Sequence, residues 1–366
     1  MSGMPSISIT FTEVAATAIK RGERGIIAMI LKETTVPSDP VVSCQSAQDI
    51  PNTLSTANKT QLALALKGYV NTPKKVVAYI IPATVIPEGE TDPVNNTDYS
   101  DALNYFKTIK FDYLVIPTVA TDNKTSDIVS YVTTERTNNK LIKAVLPNTV
   151  ADKEGIINYT TSKLYEGDTE YTTAEACARI AGIIAGTPIS ISCTYAPIPE
   201  MTDCTRLTKA QMDAAVDAGQ LIAWFDGEKV KLGRGVNSLT TLTSEKNTQF
   251  QKIKIVDAMD MIASDIRMTA EDNYLGKYAN TYDNKCLLIS AIGNYFDQLI
   301  MDDVLQSATI EIDIDANRSY LKGKGVDVDK MTDAEIKVAN TGSYVFLKAT
   351  LSILDAIEDI VLPITI

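Results

Sequence analysis

Gly25-Ile26-Ile27-Ala28-Met29-Ile30-Leu31 is the stretch that decides the fold. It is a short continuous apolar run with no polar face, the pattern of a strand buried on both sides. Three further runs recur at domain-scale spacing: Lys75 to Ile81 (KVVAYII), Phe111 to Ile116 (FDYLVI) and Leu141 to Leu146 (LIKAVL). Helical segments separate them. Gln61 to Leu66 reads as helix with Gly68 as its stop, and Asp101 to Ile109 places Leu103, Phe106 and Ile109 on one face. Asp127 to Arg136 suits a third helix, and Pro117 and Pro147 read as strand stops. Strands that alternate with helices predict an α/β domain with an open, largely parallel sheet. Its expected span is 25–204, after an N-terminal arm and linker over 1–24.

Downstream the helix ends are explicit. Thr172-Thr173-Ala174-Glu175 is a capping box, and the alanine-rich run behind it ends at Gly186 with Pro188 beyond. Thr208-Lys209-Ala210-Gln211 is another capping box, opening a helix that stops near Gly219. Leu221 to Phe225 and Lys229 to Leu232, joined through Asp226-Gly227, predict a hairpin.

Lys246 to Met268 reads as an amphipathic helix with Ile255, Met259, Ile262 and Ile266 as its stripe and Lys252, Asp257, Asp260 and Asp265 off it. A second helix carries Leu288, Ile292, Tyr295 and Leu299. Ser307 to Asp315 alternates strictly, with Asp313 and Asp315 on the solvent face of the expected strand. Thr332 to Glu335 caps a short helix, and Ser343 to Leu354 alternates again. Helices followed by segregated strands predict an α+β domain over 205–356.

Both ends of the sequence carry period-2 alternation. Ile7, Ile9 and Phe11 alternate with polar residues near the start. Ile360, Leu362, Ile364 and Ile366 alternate with Val361, Pro363 and Thr365 at the end. An apolar terminal strand exposes a hydrogen-bonding edge that aggregates unless something pairs with it. The expectation is that these two arms, the second spanning 357–366, complete sheets in neighbouring copies. Such a chain builds a lattice rather than turning over a substrate.

Composition narrows the classes. Over 366 residues the hydrophobic content is 45%, the charged content 22% and the formal net charge −12, which argues against a general binder of nucleic acid or anionic membrane. No apolar run is long enough for a spanning helix, and Met1 to Thr12 lacks signal-peptide character. The cysteines Cys44, Cys177, Cys193, Cys204 and Cys286 are widely spaced and read as buried thiols. With no histidine in the chain, the Ser-His-Asp and Cys-His arrangements and His-based zinc sites are excluded.

The remaining motifs read as structural. Gly233-Arg234-Gly235 lacks phosphate-loop spacing and suits a loop after the hairpin. Gly182 and Gly186 mark close helix packing and a C-cap. Asp327, Asp329 and Asp333 lack the order of a calcium loop. No catalytic residue, metal site or cofactor is expected.

Three segments resemble the tail sheath proteins of contractile phages and R-type bacteriocins, in the short form of Gram-positive systems. They are Trp224-Phe225-Asp226-Gly227-Glu228-Lys229-Val230, Gly235-Val236-Asn237-Ser238-Leu239-Thr240-Thr241 and Phe250-Gln251-Lys252-Ile253-Lys254-Ile255-Val256-Asp257. Pro5 to Ile9 through Gly22 and Gly25-Ile26 resembles that family's arm and first strand. The resemblance implies a subtilisin-like fold without a protease triad, and a subunit that stacks as six-membered rings around an inner tail tube protein. It implies terminal arms that add strands to neighbouring C-terminal domains, and baseplate and tail terminator proteins as further partners. It also implies contraction that drives the tube through a target envelope without a nucleotide, and synthesis in a bacterial host cytoplasm before release in a virion tail or bacteriocin particle. The charged faces of helices 246–268 and 286–303 are expected to grip the tube. Two rivals remain open at this stage: an α/β enzyme with a pocket at the C-terminal ends of its parallel strands, and another helical tail or secretion-system component.

Overall fold

The computed structural model describes residues 18–86 and 91–365. The arm residues Ile7, Ile9, Phe11 and Ile366 therefore lie outside the described residues. The described residues divide into two compact units, one formed by those of 22–262 with 355–365 and the other by 263–354 with 18–21.

The larger unit is built on the apolar runs. They become β1 (Ile26–Glu33), β3 (Lys75–Pro82), β6 (Tyr113–Val115) and β7 (Lys143–Pro147), with β2 (Val41–Cys44) between the first two. Helices α1 (Thr56–Leu66), α2 (Ser100–Thr108) and α3 (Thr125–Thr137) occupy the connections, and β4 (Thr84–Val85) and β5 (Val94–Asn95) form a small hairpin before α2. The strands β8 (Ile156–Tyr159), β9 (Lys163–Glu166) and β10 (Thr169–Thr172) lead into α4 (Thr173–Ala185). Strand β11 (Asp203–Cys204), helix α5 (Lys209–Asp217) and strands β12 (Gln220–Leu221), β13 (Ala223–Phe225) and β14 (Val230–Leu232) follow.

Among the described residues the main sheet has seven strands in the order β12-β8-β7-β6-β1-β3-β2. Every pairing is parallel except that of β2 with β3. The open, largely parallel sheet expected from the sequence is thus present. Apolar side chains cover both faces: Ile27, Met29 and Leu31 face α1 and α4, while Ile26, Ala28 and Ile30 face the Phe106, Phe111 and Ile128 side. This two-sided burial is why the strands read as continuous apolar runs.

The capping boxes at Thr172–Glu175 and Thr208–Gln211 both form. Gly68 adopts φ +64°, the left-handed conformation that ends α1, as its sequence position predicts. Gly182 answers a different need, because α1 and α4 cross so closely that a Cβ there would meet the Ala65 carbonyl oxygen at 2.3 Å. The compact unit continues past the expected change near residue 205. Strand β12 joins the main sheet beside β8 and the β13–β14 hairpin packs in the same core.

Helix α6 (Ile253–Asn273) begins in the first unit, and its last turns belong to the second. It starts at Ile253 rather than at Lys246, because Thr248–Gln251 forms a 3-10 turn first. The second unit continues with α7 (Tyr282–Met301), β15 (Leu305–Ile312), α8 (Ile314–Gly323), α9 (Asp333–Val338) and β16 (Leu347–Ile353). This is a C-terminal α+β region, as the expected fold class has it, over a shorter span than the 205–356 expected. One expectation fails: Asp313 and Asp315 are not on a strand. Asp313 caps α8, its Oδ1 accepting the Ala316 amide at 2.8 Å, and Asp315 sits in the first turn. A carboxylate at an N-cap outcompetes strand continuation because it satisfies a helix amide and meets the positive end of the dipole.

All five cysteines are thiols; Cys44, Cys177, Cys193 and Cys204 are buried and Cys286 is half-buried. Burial pushes the Cys44 and Cys204 thiols up to about 11 and Cys193 to about 12, and raises Cys177 further.

Trp224, the single tryptophan of the chain, lies in the sheet unit and reports on it alone. Gly182→Ala is expected to destabilise that unit by about 1–3 kcal/mol through overpacking against α1. Gly323→Ala, with open space at its Cβ, should leave the same transition unchanged. Urea unfolding followed by Trp224 fluorescence checks both, and an unaltered midpoint for Gly182→Ala would contradict the close-crossing argument.

Candidate assembly interface

After β16 the chain rejoins the sheet unit. Residues 355–365 form no strand within the single chain. The side chains of Ile360, Leu362 and Ile364 stand 82, 73 and 77% exposed. They are not folded back onto their own subunit, and the single chain gives them no ladder partner among the described residues.

The smaller unit holds a matching incompleteness. Strands β15 and β16 pair antiparallel with each other from Ile312↔Leu347 to Leu305↔Ile353, with a bulge between Leu305 and Ser307. They form a two-stranded sheet, so among the described residues each outer edge lacks a strand partner. Helix α7 packs against β15, where Ile312 and Leu305 are buried and Ser307, Thr309 and Glu311 face outward. A two-stranded ribbon is marginal alone, and unpaired edges are templates for further strands.

The charged residues of α6 are placed differently from the sequence expectation. Asp257 and Asp260 do not form a solvated tube-gripping face; both are buried against the N-terminal ends of the parallel strands. Lys143, at the start of β7, lies 3.1 Å from Asp257 and 2.7 Å from Asp260. Arg24 pairs with Asp257, and the Tyr113 hydroxyl donates to both of its oxygens at 2.7 and 2.5 Å. Arg136 on α3 holds Asp260 by two bonds, Nη1 to Oδ2 at 2.8 Å and Nη2 to Oδ1 at 3.0 Å. Asp112 accepts the amides of Gly25 and Ile26 at 2.7 and 2.8 Å, and Lys246 pairs with Glu154 at 2.8 Å. Asp265 is buried as well and accepts the Tyr295 hydroxyl at 2.8 Å. Asp257 and Asp260 each face two cations, Arg24 with Lys143 and Arg136 with Lys143, as burial of a carboxylate requires. The readable sign was Lys143, a cation inside an otherwise apolar run.

Burial alone would push the Asp257 carboxyl up, but Lys143 and Arg24 beside it outweigh that and hold it below the usual carboxylate range. Burial would push the Lys143 ammonium down, and Asp260 and Asp257 reverse it. Asp112 is raised, because burial exceeds the help of its amide donors.

At the C-terminal ends of the strands, where an enzyme of this architecture would carry its site, the described residues form a satisfied polar group and a neutral cavity. The chain order reverses between β1 and β6, and that crevice is filled by a satisfied group. Lys32 pairs with Asp122 at 2.6 Å, and Asn95 and Tyr99 donate to the same carboxylate. A cavity of about 370 Å³ beyond β7, β8 and β12 is lined by Asn148, Asn158, Thr160, Gln211, Gln220 and aliphatic side chains, without a charged group or thiol.

Residues 92–238 match the family described as phage tail sheath protein central domain, and residues 245–366 that described as phage tail sheath C-terminal domain. The tail sheath protein of Clostridium phage phiCD119 is 39% identical over 363 residues, covering 98% of each chain. The chain belongs to the phage tail sheath protein family. It is a structural sheath subunit of a contractile tail and not an enzyme. Solved sheath structures share the fold. The sheath tail protein of Desulfitobacterium hafniense aligns with a TM-score of 0.68 at 21% identity, over 84% of this chain and 93% of that one. The anti-feeding prophage helical sheath in its contracted state aligns with a TM-score of 0.71 at 12% identity, over 100% and 99%.

In the sheath subunit, Asp257→Ala removes the carboxylate paired with the half-buried Arg24 and one of the two paired with Lys143, which keeps Asp260, and the expected loss is about 3 kcal/mol. Trp224-monitored unfolding measures it. The folded Asp257 carboxyl lies below its unfolded value, so its stabilisation is present above about pH 4 and is lost as pH falls through the lowered value. Lys143 lies above its unfolded value, so its share is present below about pH 10 and is lost as pH rises through the raised value. Asp112, being raised, has the opposite sign to Asp257 and offsets part of the acid limb. The sheet unit should hold near-constant stability between about pH 6 and 7.5, above which the four buried thiols, raised in the folded state, begin to cost stability as their unfolded counterparts ionise, with a smaller acid loss in Asp257→Asn. A steep slope inside that window would refute the assignment.

Proposed function

We propose that the subunit polymerises by exchanging terminal strands. The arm bearing Ile7, Ile9 and Phe11 and the arm bearing Ile360, Leu362, Ile364 and Ile366 pair with the open edges of β15 and β16 in neighbouring copies. The observation that carries this reading is the exposure of Ile360, Leu362 and Ile364 on a chain whose own hairpin has two unfilled edges. Burying those three side chains would contribute roughly 5–9 kcal/mol per copy before the cost of ordering the arm. Pro363 suits an outermost strand, since it has no amide to donate.

On this reading the copies stack as six-membered rings around an inner tail tube, with baseplate and tail terminator proteins at the ends. Subunits move as nearly rigid bodies during contraction while the exchanged strands keep the mesh connected. Synthesis takes place in the bacterial host cytoplasm, and the sheath acts in a virion tail or a released bacteriocin-type particle. The tube-facing surface belongs to the 263–354 unit. With Asp257 and Asp260 committed to the sheet, the acidic positions left to meet the tube include Glu271 and Asp272 on α6 and Asp283 and Asp297 on α7, all exposed. Contacts made through them weaken with salt.

Truncation after Asp359 tests the arm. Because the removed side chains are exposed, the Trp224-monitored stability of the subunit should be unchanged while sedimentation and negative-stain microscopy show no tubes. Normal tubes from the truncated chain would overturn strand exchange at this terminus.

A further inference from the structure

The arm leaves the subunit from a built socket. Residues on either side of Glu358 are exposed, Ile357 at 89% and Ile360 at 82%, yet the Glu358 side chain is only 5% exposed. Its Oε1 accepts the Thr194 hydroxyl at 2.6 Å and the Ser192 hydroxyl at 3.3 Å. Its Oε2 lies 3.0 Å from Lys252 Nζ and 3.8 Å from Arg234 Nη1. Thr194 is itself fixed, since its Oγ1 accepts the Gly235 amide at 2.9 Å and lies 2.8 Å from Ser192 Oγ. The two cations also hold the flanking carboxylates. Lys252 pairs with Asp355, and Arg234 Nη2 reaches Asp359 Oδ1 at 2.6 Å. Arg234 and Lys252 belong to the two sequence segments around Gly235-Val236-Asn237-Ser238 and Phe250 to Asp257. The loop at Gly233-Arg234-Gly235, which lacks phosphate-loop spacing, uses its Arg234 to hold carboxylates of the chain's own C-terminal segment.

A charge held this way stands out against its surroundings. Surface ion pairs are worth little when each partner is solvated. A nearly buried carboxylate with two hydroxyl donors and two cations has a fixed position, because any displacement leaves it buried and unpaired. No later residue of the described arm has a comparable anchor, and its aliphatic side chains reach solvent.

We propose that Glu358, seated among Ser192, Thr194, Arg234 and Lys252, is the fixed pivot of the C-terminal arm. The socket sets the point and direction from which residues 360–366 depart, so assembly needs it although the fold of the subunit does not. This rests on the reading that the arm pairs with another copy. It adds that the arm is aimed by the sheet unit rather than by the hairpin unit from which the chain has just emerged. Glu358 is a positioning residue, since it acts on the partner only through the strand that follows.

The test uses the full chain and the glutamyl endopeptidase that cuts after Glu358. Release of residues 359–366 from unassembled subunits is followed by mass spectrometry for wild type, Lys252→Met and the milder Arg234→Gln. Each variant should release the segment about tenfold faster, the change expected when a holding interaction of about 1.4 kcal/mol is lost. Each should also fail to form tubes while lowering the Trp224-monitored unfolding free energy by no more than that same amount, so that the subunit stays folded. Faster release with normal tubes would show that the socket holds the arm without aiming it, and would overturn the proposal. Unchanged release would overturn it as well, because the socket would then not hold Glu358. The truncation after Asp359 separates the two readings: if it assembles, strand exchange fails whatever the socket variants do. If it does not assemble, the socket variants decide the pivot.

Discussion

Asp257 and Asp260, one helical turn apart on α6, can be buried only against cations, and the sheet unit is arranged around that requirement. Arg24 before β1, Lys143 at the start of β7 and Arg136 on α3 come from three separate stretches of the chain, and they meet at these two carboxylates. An apolar contact in the same place would tolerate sliding. A network of buried charges does not, because each small displacement exposes an uncompensated ion to a low dielectric. The first turns of α6 are therefore held in one register on the sheet. A sheath subunit must exchange intersubunit contacts while its own body stays intact, and a charge-locked helix is a physical means to that rigidity.

The parts of the fold that were legible in the sequence are those with a strong local signature. Ile26–Leu31 and its three companions have no polar face, so they had to be strands covered on both sides. The boxes at Thr172–Glu175, Thr208–Gln211 and Thr332–Glu335 bring a side-chain oxygen and a backbone amide together within one turn, and all three form. Strand β12 was hidden because two residues carry no period, and only its ladder with Asn158 and Tyr159 defines it. The helix start at Ile253 was missed because an amphipathic stripe extends naturally through a 3-10 turn.

The site was less legible, for a reason that lies in α6. Reading Ile255, Met259, Ile262 and Ile266 as its buried stripe assigns every off-stripe charge to solvent. The helix is instead buried nearly all round from Ile253 to Ala258, so charges off the stripe are also interior. A single sequence shows that Asp257 is charged but not that Lys143 lies opposite it. Glu358 escaped notice for the same reason. Nothing local separates it from Glu335 or Asp359, and its significance comes from Thr194 and Lys252, both distant in sequence. The alternation of Ile360, Leu362 and Ile364 was visible at once, and the structure adds that the single chain leaves these side chains in water.

The burial of the cysteines has its own consequence. Nucleophilic attack and oxidation both proceed through the thiolate. At Cys44, Cys177, Cys193 and Cys204 burial holds the proton on sulfur far above neutrality, while the surrounding core denies access to oxidants. These four sulfurs therefore stay chemically silent in reducing and oxidising surroundings alike, and the core packed around them is neither cross-linked nor altered by a change between the two.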